Sequence, residues 1–455
     1  MKPYMIGFIA AFALGTSAAF ALGTPAPAGS PAPTPAPTAT PTAAPSAPPK
    51  VLQFDGVIDT LYTKTIGPGS LQFTGNPPAS VGANNISFGG PSNNRWFDYA
   101  NNTLNLEELN ASVALNWNNW GGRVLLNVGP QANISYTYPS QFNSIDLNQV
   151  YLNYTWKTLT LQGGKYATLA GYEASESVND TTVSRGILFW YQPATHLGGR
   201  LTYAPNSKVS LIGGFNDGWN TWVNTSGSFT TEYAILLNPN PTVSLTAQGY
   251  TGYEQIANYS GVRPGTANVQ FPAGVPGGPP TTIQGQRKLI DLVGTVHATK
   301  ALTIAANYDS GSQSCTTPYN ATAPQNCSGP GVSGWSGYVT PLTGSVAQWS
   351  GLALFGVYQI TPTLTGTVRY EGFHDPNGYN TGYNQLWHEG TLAFAWAVTP
   401  QLTLRTEYRH DTSSLPVFAS PASAVLSNGA VYAVGNPGQG VNGNSTFGFE
   451  ALAHF

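Results

Sequence analysis

Charged side chains occupy alternate positions in two short segments of this sequence. Arg405, Glu407 and Arg409 are spaced two apart, and Arg369 and Glu371 repeat the spacing, with uncharged residues between them. Successive side chains of a β-strand point to opposite faces, so the charges of each segment share one face. A face that carries both signs can attract and orient ions. These five residues are therefore candidates for the lining of a water-filled passage.

Residues 167–196 form a long stretch that contains a second group of charges together with several aromatic residues. Glu173, Glu176 and Asp180 precede Arg185 within it. Acidic groups that face a basic group across a narrow passage would set both a size limit and a transverse field. The stretch is long enough to fold back inside a barrel and act as a constriction loop. Packing over the outer rim is the alternative.

Motifs that indicate enzyme catalysis are missing from the sequence. It contains no Gly-x-Ser-x-Gly, no His-Glu-x-x-His and no P-loop. One Gly-x-Gly-x-x-Gly occurs at 438–443, but no βαβ pattern surrounds it, so a loop is predicted. The pairs His374-Asp375 and His410-Asp411 have no nucleophile to complete a triad. No enzyme activity and no cofactor are predicted, and a hydrolase is disfavoured.

The two cysteines, Cys315 and Cys327, lie in one polar stretch. In an exported chain this spacing favours a disulfide that closes a loop, and two free thiols are the alternative. No histidine or acidic residue accompanies them, so no metal site is predicted.

The composition fits a wall between lipid and water. Charged residues make up 8% of the 455 residues, against about 25% in an ordinary soluble domain. Aromatic residues reach 12%, whereas the hydrophobic content of 41% is too low for a helical membrane protein. The net charge of −3 gives no basic surface for nucleic acid.

After residue 50 the chain has no apolar run of 18 residues, and period-two segments recur instead. Seven short turns, such as Ile360–Thr365 and Val398–Thr403, alternate with long polar stretches. Seven short turns join eight up-down hairpins, which predicts an all-β, transmembrane antiparallel barrel of about sixteen strands. The predicted strands lie near 51–62, 103–117, 121–130, 145–155, 158–166, 197–204, 207–216, 228–238, 242–253, 286–299, 301–310, 347–361, 363–374, 386–399, 401–411 and 444–455.

This pattern also predicts which side chains point into the barrel. Besides the charges named above, the predicted inward residues include Asp59, Glu108, Arg123, Gln149, Tyr151, Asp291, Glu389 and Glu450. A charge that faced lipid at the bilayer midplane would cost about 2–4 kcal/mol for Arg or Lys. Aromatic residues cluster near the short turns, as expected of an interfacial girdle: Trp117, Trp120, Trp156, Tyr203, Tyr358 and Trp396.

The two ends of the chain carry export and assembly signals. Residues 1–21 are predicted to be a signal peptide, because Lys2 precedes an apolar run and Ala19-Phe20-Ala21 is a cleavage site. Residues 22–50 are a Pro/Ala/Thr-rich stretch that predicts a disordered linker, and residues 51–455 are the barrel. The last predicted strand alternates and ends in Phe455, which resembles the signal read by the outer-membrane barrel-assembly machinery.

The middle of the chain resembles the beta-barrel porin-2 (OmpL-like) family over about residues 145–225. The resemblance rests on Gly164-Lys165-Tyr166, Gly171-Tyr172-Glu173, Asn179, Ser184-Arg185, Pro193-x-x-His196-x-Gly198 and Asn216-Asp217-Gly218-Trp219. Asp217 departs from the family pattern, which more often reads Asn-Gly-Trp. The resemblance implies an outer-membrane channel. It assigns Lys165, Glu173, Arg185 and His196 a role in the pore or in anchoring the loop.

The sequence thus predicts a porin of the bacterial outer membrane that lets small polar solutes or ions diffuse passively. Its predicted partners are outer-membrane lipid, the barrel-assembly machinery and, as in many porins of this size, two further copies in a homotrimer. The alternative is a blocked barrel with adhesive or structural loops near 63–102, 254–285, 311–346 and 412–443. An outer-membrane hydrolase is the third hypothesis.

Overall fold

The computed structural model describes residues 51–66, 103–129, 132, 145–224, 227–256, 283–314, 346–376, 380, 384–415, 418 and 441–455. The predicted signal peptide, the predicted linker, Cys315 and Cys327 lie outside these residues. No helix in the described part is long and apolar enough to cross a membrane.

Sixteen antiparallel strands form one closed barrel, which confirms the predicted architecture and strand number. Each strand pairs with its neighbours in sequence, and β1 closes the ring by pairing with β16. The strands are β1 (Leu52–Ile66), β2 (Thr103–Trp117), β3 (Trp120–Val128), β4 (Ile145–Trp156), β5 (Leu159–Ala167), β6 (Thr195–Asn206), β7 (Val209–Asn216), β8 (Thr230–Asn240), β9 (Val243–Ile256), β10 (Ile283–His297), β11 (Leu302–Ser314), β12 (Val346–Thr361), β13 (Leu364–Asp375), β14 (Gln385–Thr399), β15 (Leu402–Ser413) and β16 (Gly443–His454).

Some strands extend beyond their predicted bounds. The prediction for β1 stopped at 62, whereas pairing with β16 continues to Ile66 through a run of polar residues. The apolar alternation disappears there, but the backbone ladder does not depend on it. At the opposite end, tight turns bring the strands together. Asn118 and Lys157 adopt left-handed φ angles of 51° and 54°, which a two-residue hairpin turn requires.

Exposure alternates along each strand and separates an apolar outer face from a polar inner face. On β13, Val368 and Tyr370 are 55% and 53% exposed, whereas Arg369 and Glu371, which alternate with them, are buried. The predicted girdle residues are all exposed: Trp117, Trp120, Trp156, Tyr203, Tyr358 and Trp396. The outer surface is therefore suited to lipid, and the charges are directed into the lumen.

The buried core of the molecule lies inside the barrel. The connection between β5 and β6, residues 168–194, contributes many buried side chains to it and is called the inner segment below. Its regular structure is limited to a single 3-10 turn, Ser177–Asn179, and one short helix, α1 (Ile187–Trp190). Such short elements make few hydrogen bonds of their own, so the barrel wall must hold the segment in place.

A lumen crossed by the inner segment

Carboxylates of the wall accept hydrogen bonds from the backbone of the inner segment. Glu407 on β15 accepts from the amides of Val183 at 2.7 Å and Ser184 at 3.1 Å. Glu371 on β13 accepts from the amide of Ile187, at the start of α1. Glu108 on β2 accepts from the amide of Ser177 at 3.1 Å. These bonds satisfy backbone donors of the segment, including those of Ser177 and Ile187, the first residues of its two helical turns.

Arginines of the same wall donate to carbonyl groups of the segment. Arg405 donates to the Ser177 carbonyl at 2.9 Å, and Arg409 donates to the Arg185 carbonyl at 2.6 Å. Arg369 donates to the Ser184 carbonyl at 2.7 Å and also pairs with Glu173 at 2.7 Å. The five wall charges proposed from sequence therefore all contact the inner segment.

The other side of the segment packs against apolar wall residues. Tyr191 stacks on Phe373 of β13 with ring centroids 4.5 Å apart, and Tyr172 lies 4.5 Å from Phe355 of β12. Together with further buried residues these form the apolar lumen cluster: Ala170, Ile187, Leu188, Phe189, Trp190, Tyr191, Trp219, Tyr250, Leu289, Ala305, Trp349, Ala353, Phe355, Phe373, Trp387 and Phe418. Burying such large side chains stabilises the segment by the hydrophobic effect.

Contacts with opposite walls show that the segment crosses the lumen. The amide of Tyr172 donates to Asn307 on β11 at 3.2 Å, and Glu176 pairs with Arg123 on β3 at 2.8 Å. β3 and β11 are eight places apart in the ring of sixteen strands, so they face each other. A segment that reaches both walls within a few residues lies inside the barrel and narrows it.

Arg185 and Asp180 fix the shape of the segment from within. Their side chains pair at 2.8 Å, and Arg185 also donates to the carbonyls of Ala174 and Ser175. Burial raises the pKa of Asp180, an effect that Arg185 opposes. Burial likewise raises the pKa of Glu173, against the attraction of Arg369, and it raises the pKa of Tyr172 to about 12.

Lys165 and His196, two of the residues proposed from the resemblance, are fully buried. Lys165 pairs with Asp146 at 3.2 Å and lies over the ring of Trp222. His196 contacts the Gly218 carbonyl through Nδ1 and stacks on Tyr250. Both therefore join neighbouring strands and loops, and neither touches the charges that hold the inner segment.

Several residues at the site were not among the sequence candidates. Arg200 pairs with Glu232 at 2.7 Å, and Gln192 donates to Asp309 at 2.7 Å. Arg123 was predicted to face inward but was not singled out. A lone charge in an otherwise apolar strand was the available signal for Arg123 and Arg200. Nothing in the sequence indicates the partner of Gln192, because that contact joins residues more than a hundred positions apart.

Phe455, the last residue, extends the pairing of β16 with β1 that closes the barrel. Its backbone exchanges two hydrogen bonds with Gly56 on β1, at 2.9 and 3.1 Å. Its ring lies where a side chain at Gly56 would be.

Within the described ranges, no group of three or more His, Cys, Asp or Glu side chains could hold a metal ion.

Comparison with known proteins gives one family match and several structural likenesses. Residues 69–455 match the model of the family described as "Putative beta-barrel porin-2, OmpL-like". No curated protein matches the sequence significantly.

Three solved structures share the fold, each with a TM-score of 0.51 and coverage of 89% of this chain. They are the outer membrane channel DcaP of Acinetobacter baumannii (11% identity, 97% of that chain covered), OmpT of Vibrio cholerae in its trimer form (10%, 99%) and an anion-selective porin from Comamonas acidovorans (8%, 99%). At such identities the likeness concerns the fold alone.

Proposed function

Because this chain belongs to the beta-barrel porin-2, OmpL-like family, and is therefore an outer-membrane porin, we propose that it conducts small polar solutes or ions by passive diffusion. The inner segment, which includes most of the constriction loop proposed from sequence at residues 167–196, sets the width of the passage. A sixteen-stranded barrel is wide enough to hold an aqueous channel, so an element inside it must provide selectivity.

The observation that carries this proposal is the attachment of the inner segment to the wall. Glu371, Glu407 and Arg369 hold successive parts of it at one side, and Arg123 meets it at the other. Hydrogen bonds to charged groups contribute about 1.5–3 kcal/mol each. The buried contacts of Glu371, Glu407 and Arg369 together keep the segment in one position while solutes pass.

We also propose the partners of the barrel. The exposed apolar belt suits outer-membrane lipid, and the Phe455 end suits recognition by the barrel-assembly machinery. The trimer form named for OmpT of Vibrio cholerae makes a homotrimer our preferred assembly.

A catalytic role is not part of the proposal. His374 and His410 face outward and are exposed, whereas Asp375 and Asp411 face inward and are buried. Each neighbouring pair is therefore divided between the two faces of its strand. The geometry gives neither histidine a carboxylate partner from its own pair.

A non-conducting barrel with adhesive loops is the second candidate. The apolar lumen cluster favours it, because large side chains from the wall and from α1 fill part of the cross section. The two hypotheses differ in whether these side chains close the lumen completely.

Single-channel recording from the full-length protein in planar bilayers tests the proposal. We expect discrete ohmic steps from the unchanged protein. Larger or less steady steps are expected from Arg369→Gln, which loses the charged donor to Ser184 and Glu173. Lys64→Gln, on the exposed face of β1, serves as the matched control. Silence from protein that migrates as a folded barrel would refute passive conduction and favour the adhesive role.

A further inference from the structure

Among the ion pairs that the described residues form in the lumen, one is open to water. The side chains of Arg123 and Glu176 are 28% and 14% exposed. In the other pairs that hold the inner segment or its surroundings, exposure is much lower: 0% and 6% for Arg369–Glu173, and 1% for each partner of Arg405–Glu450. Solvent therefore reaches the lumen beside β3.

Neighbouring inward side chains are accessible as well. Tyr151 on β4 lies directly opposite Arg123 in the strand register, and both it and Gln162 on β5 are half-buried. The apolar lumen cluster occupies the other side, with residues from β9 to β14. Water therefore reaches Arg123 from the end of the barrel that carries the short turns. Farther along β3, β4 and β5 the inward side chains are buried, for example Leu125, Gln149 and Lys165.

Glu176 is bound as a free carboxylate ligand would be. Arg123 donates through Nη1 and Nη2 to the two carboxylate oxygens, at 2.9 and 2.8 Å. Gln149 donates to one of them at 3.4 Å. A planar guanidinium matches a carboxylate in this two-point geometry, and an amide adds a neutral donor.

The side chain of Glu176 can leave this position without moving the backbone beside it. Ser177, the next residue, is held independently by Glu108 through its amide and by Arg405 through its carbonyl. Ion pairs that water reaches are weak, because each partner regains hydration when they separate. An incoming carboxylate can therefore take the place of Glu176.

We infer that Arg123 and Gln149 form a binding subsite for the carboxylate group of small organic acids, which the Glu176 side chain occupies until a solute displaces it. The inference rests on the proposed channel function and deepens it. It places a solute-selecting position on β3 and β4. Binding there exchanges one carboxylate for another, so no net charge is buried.

The test measures how sodium propionate reduces the single-channel current of the full-length protein in potassium chloride, with propionamide as the uncharged probe of equal shape. Glu176→Gln removes the competing charge. Propionate should then act at about fivefold lower concentration than on the unchanged protein. Arg123→Gln should abolish the effect of propionate on the current, whatever change it makes to the conductance itself. Propionamide should have no effect on any variant.

Asp217→Asn is the matched control, since it removes one half-exposed carboxylate after β7 that interacts with Asn224. Equal propionate sensitivity of Glu176→Gln and Asp217→Asn would overturn the inference, and so would full sensitivity in Arg123→Gln. If Arg123→Gln fails to fold, Arg123→Lys is used. It keeps the charge but loses the two-point geometry, so its sensitivity should fall clearly below that of the unchanged protein, and equal sensitivity would overturn the inference.

A second measurement separates this inference from the channel proposal. Silence of the unchanged protein in the bilayer would refute passive conduction, and propionate binding would then be measured by calorimetry on the detergent-solubilised full chain. Binding to Glu176→Gln and none to Arg123→Gln would support the subsite. No binding to Glu176→Gln would overturn it.

Discussion

Replacing Glu407 with alanine should release the inner segment from its wall. The change leaves the buried amides of Val183 and Ser184 without their acceptor. Each unsatisfied buried donor costs about 1–3 kcal/mol, so the attached state loses about 2–6 kcal/mol. Water that enters the vacated space brings the cost toward the lower end, which still raises the released population about thirtyfold.

Amide hydrogen exchange at Val183 and Ser184 and the current noise of single channels measure this release. Both should rise in Glu407→Ala. The control is Glu407→Gln, which keeps one carbonyl acceptor at the same place and should show a smaller change. Unaltered exchange and unaltered noise in Glu407→Ala would show that the apolar lumen cluster alone holds the segment, and the reasoning from charged contacts would be wrong.

Three further perturbations have defined outcomes. Gly186→Ala should displace the inner segment and change the conductance, because its Cβ would meet the carboxylates of Glu371 and Glu173; unchanged conductance would contradict this. Burial raises the pKa of Glu173 above the ordinary 4.5, so the attached segment binds a proton at this carboxyl more tightly than the released segment does. Lowering the pH towards 4.5 favours the attached state, so current noise should fall, and a rise in noise over this range would contradict the assignment. Deleting Phe455 should reduce the yield of heat-modifiable folded barrel on gels more than Phe449→Ala, an outward change on the same strand; equal yields would count against closure by the last residue.

The sequence predicts the barrel well because its signal is local. Alternation assigned Arg369, Glu371 and the charges of β15 to the inner face, and the burial pattern confirms it. The same rule fails at Lys165. Its neighbour Gly164 has a φ of 128°, and Lys165 itself pairs in register with Val150 and Leu197. Two adjacent residues, Lys165 and Tyr166, are both buried there, so alternation gives no guide.

The contacts of the inner segment could not be derived from local patterns. Glu407 binds amides more than two hundred positions earlier in the chain. Its partners are two backbone amides and the Ser184 hydroxyl, groups that are too common in the chain for composition to reveal the pairing. The sequence supplied the charges and a long connection, and only the closed barrel brings them together.

The position of the inner segment in the chain has a consequence for biogenesis. Residues 168–194 are synthesised before β10 to β16, which supply most of the groups that bind them. The segment therefore has no complete docking surface until the final strands are in place. Inserting it into a barrel that had already closed would be difficult. We expect it to stay sensitive to added protease through most of assembly and to become protected only as the first and last strands join.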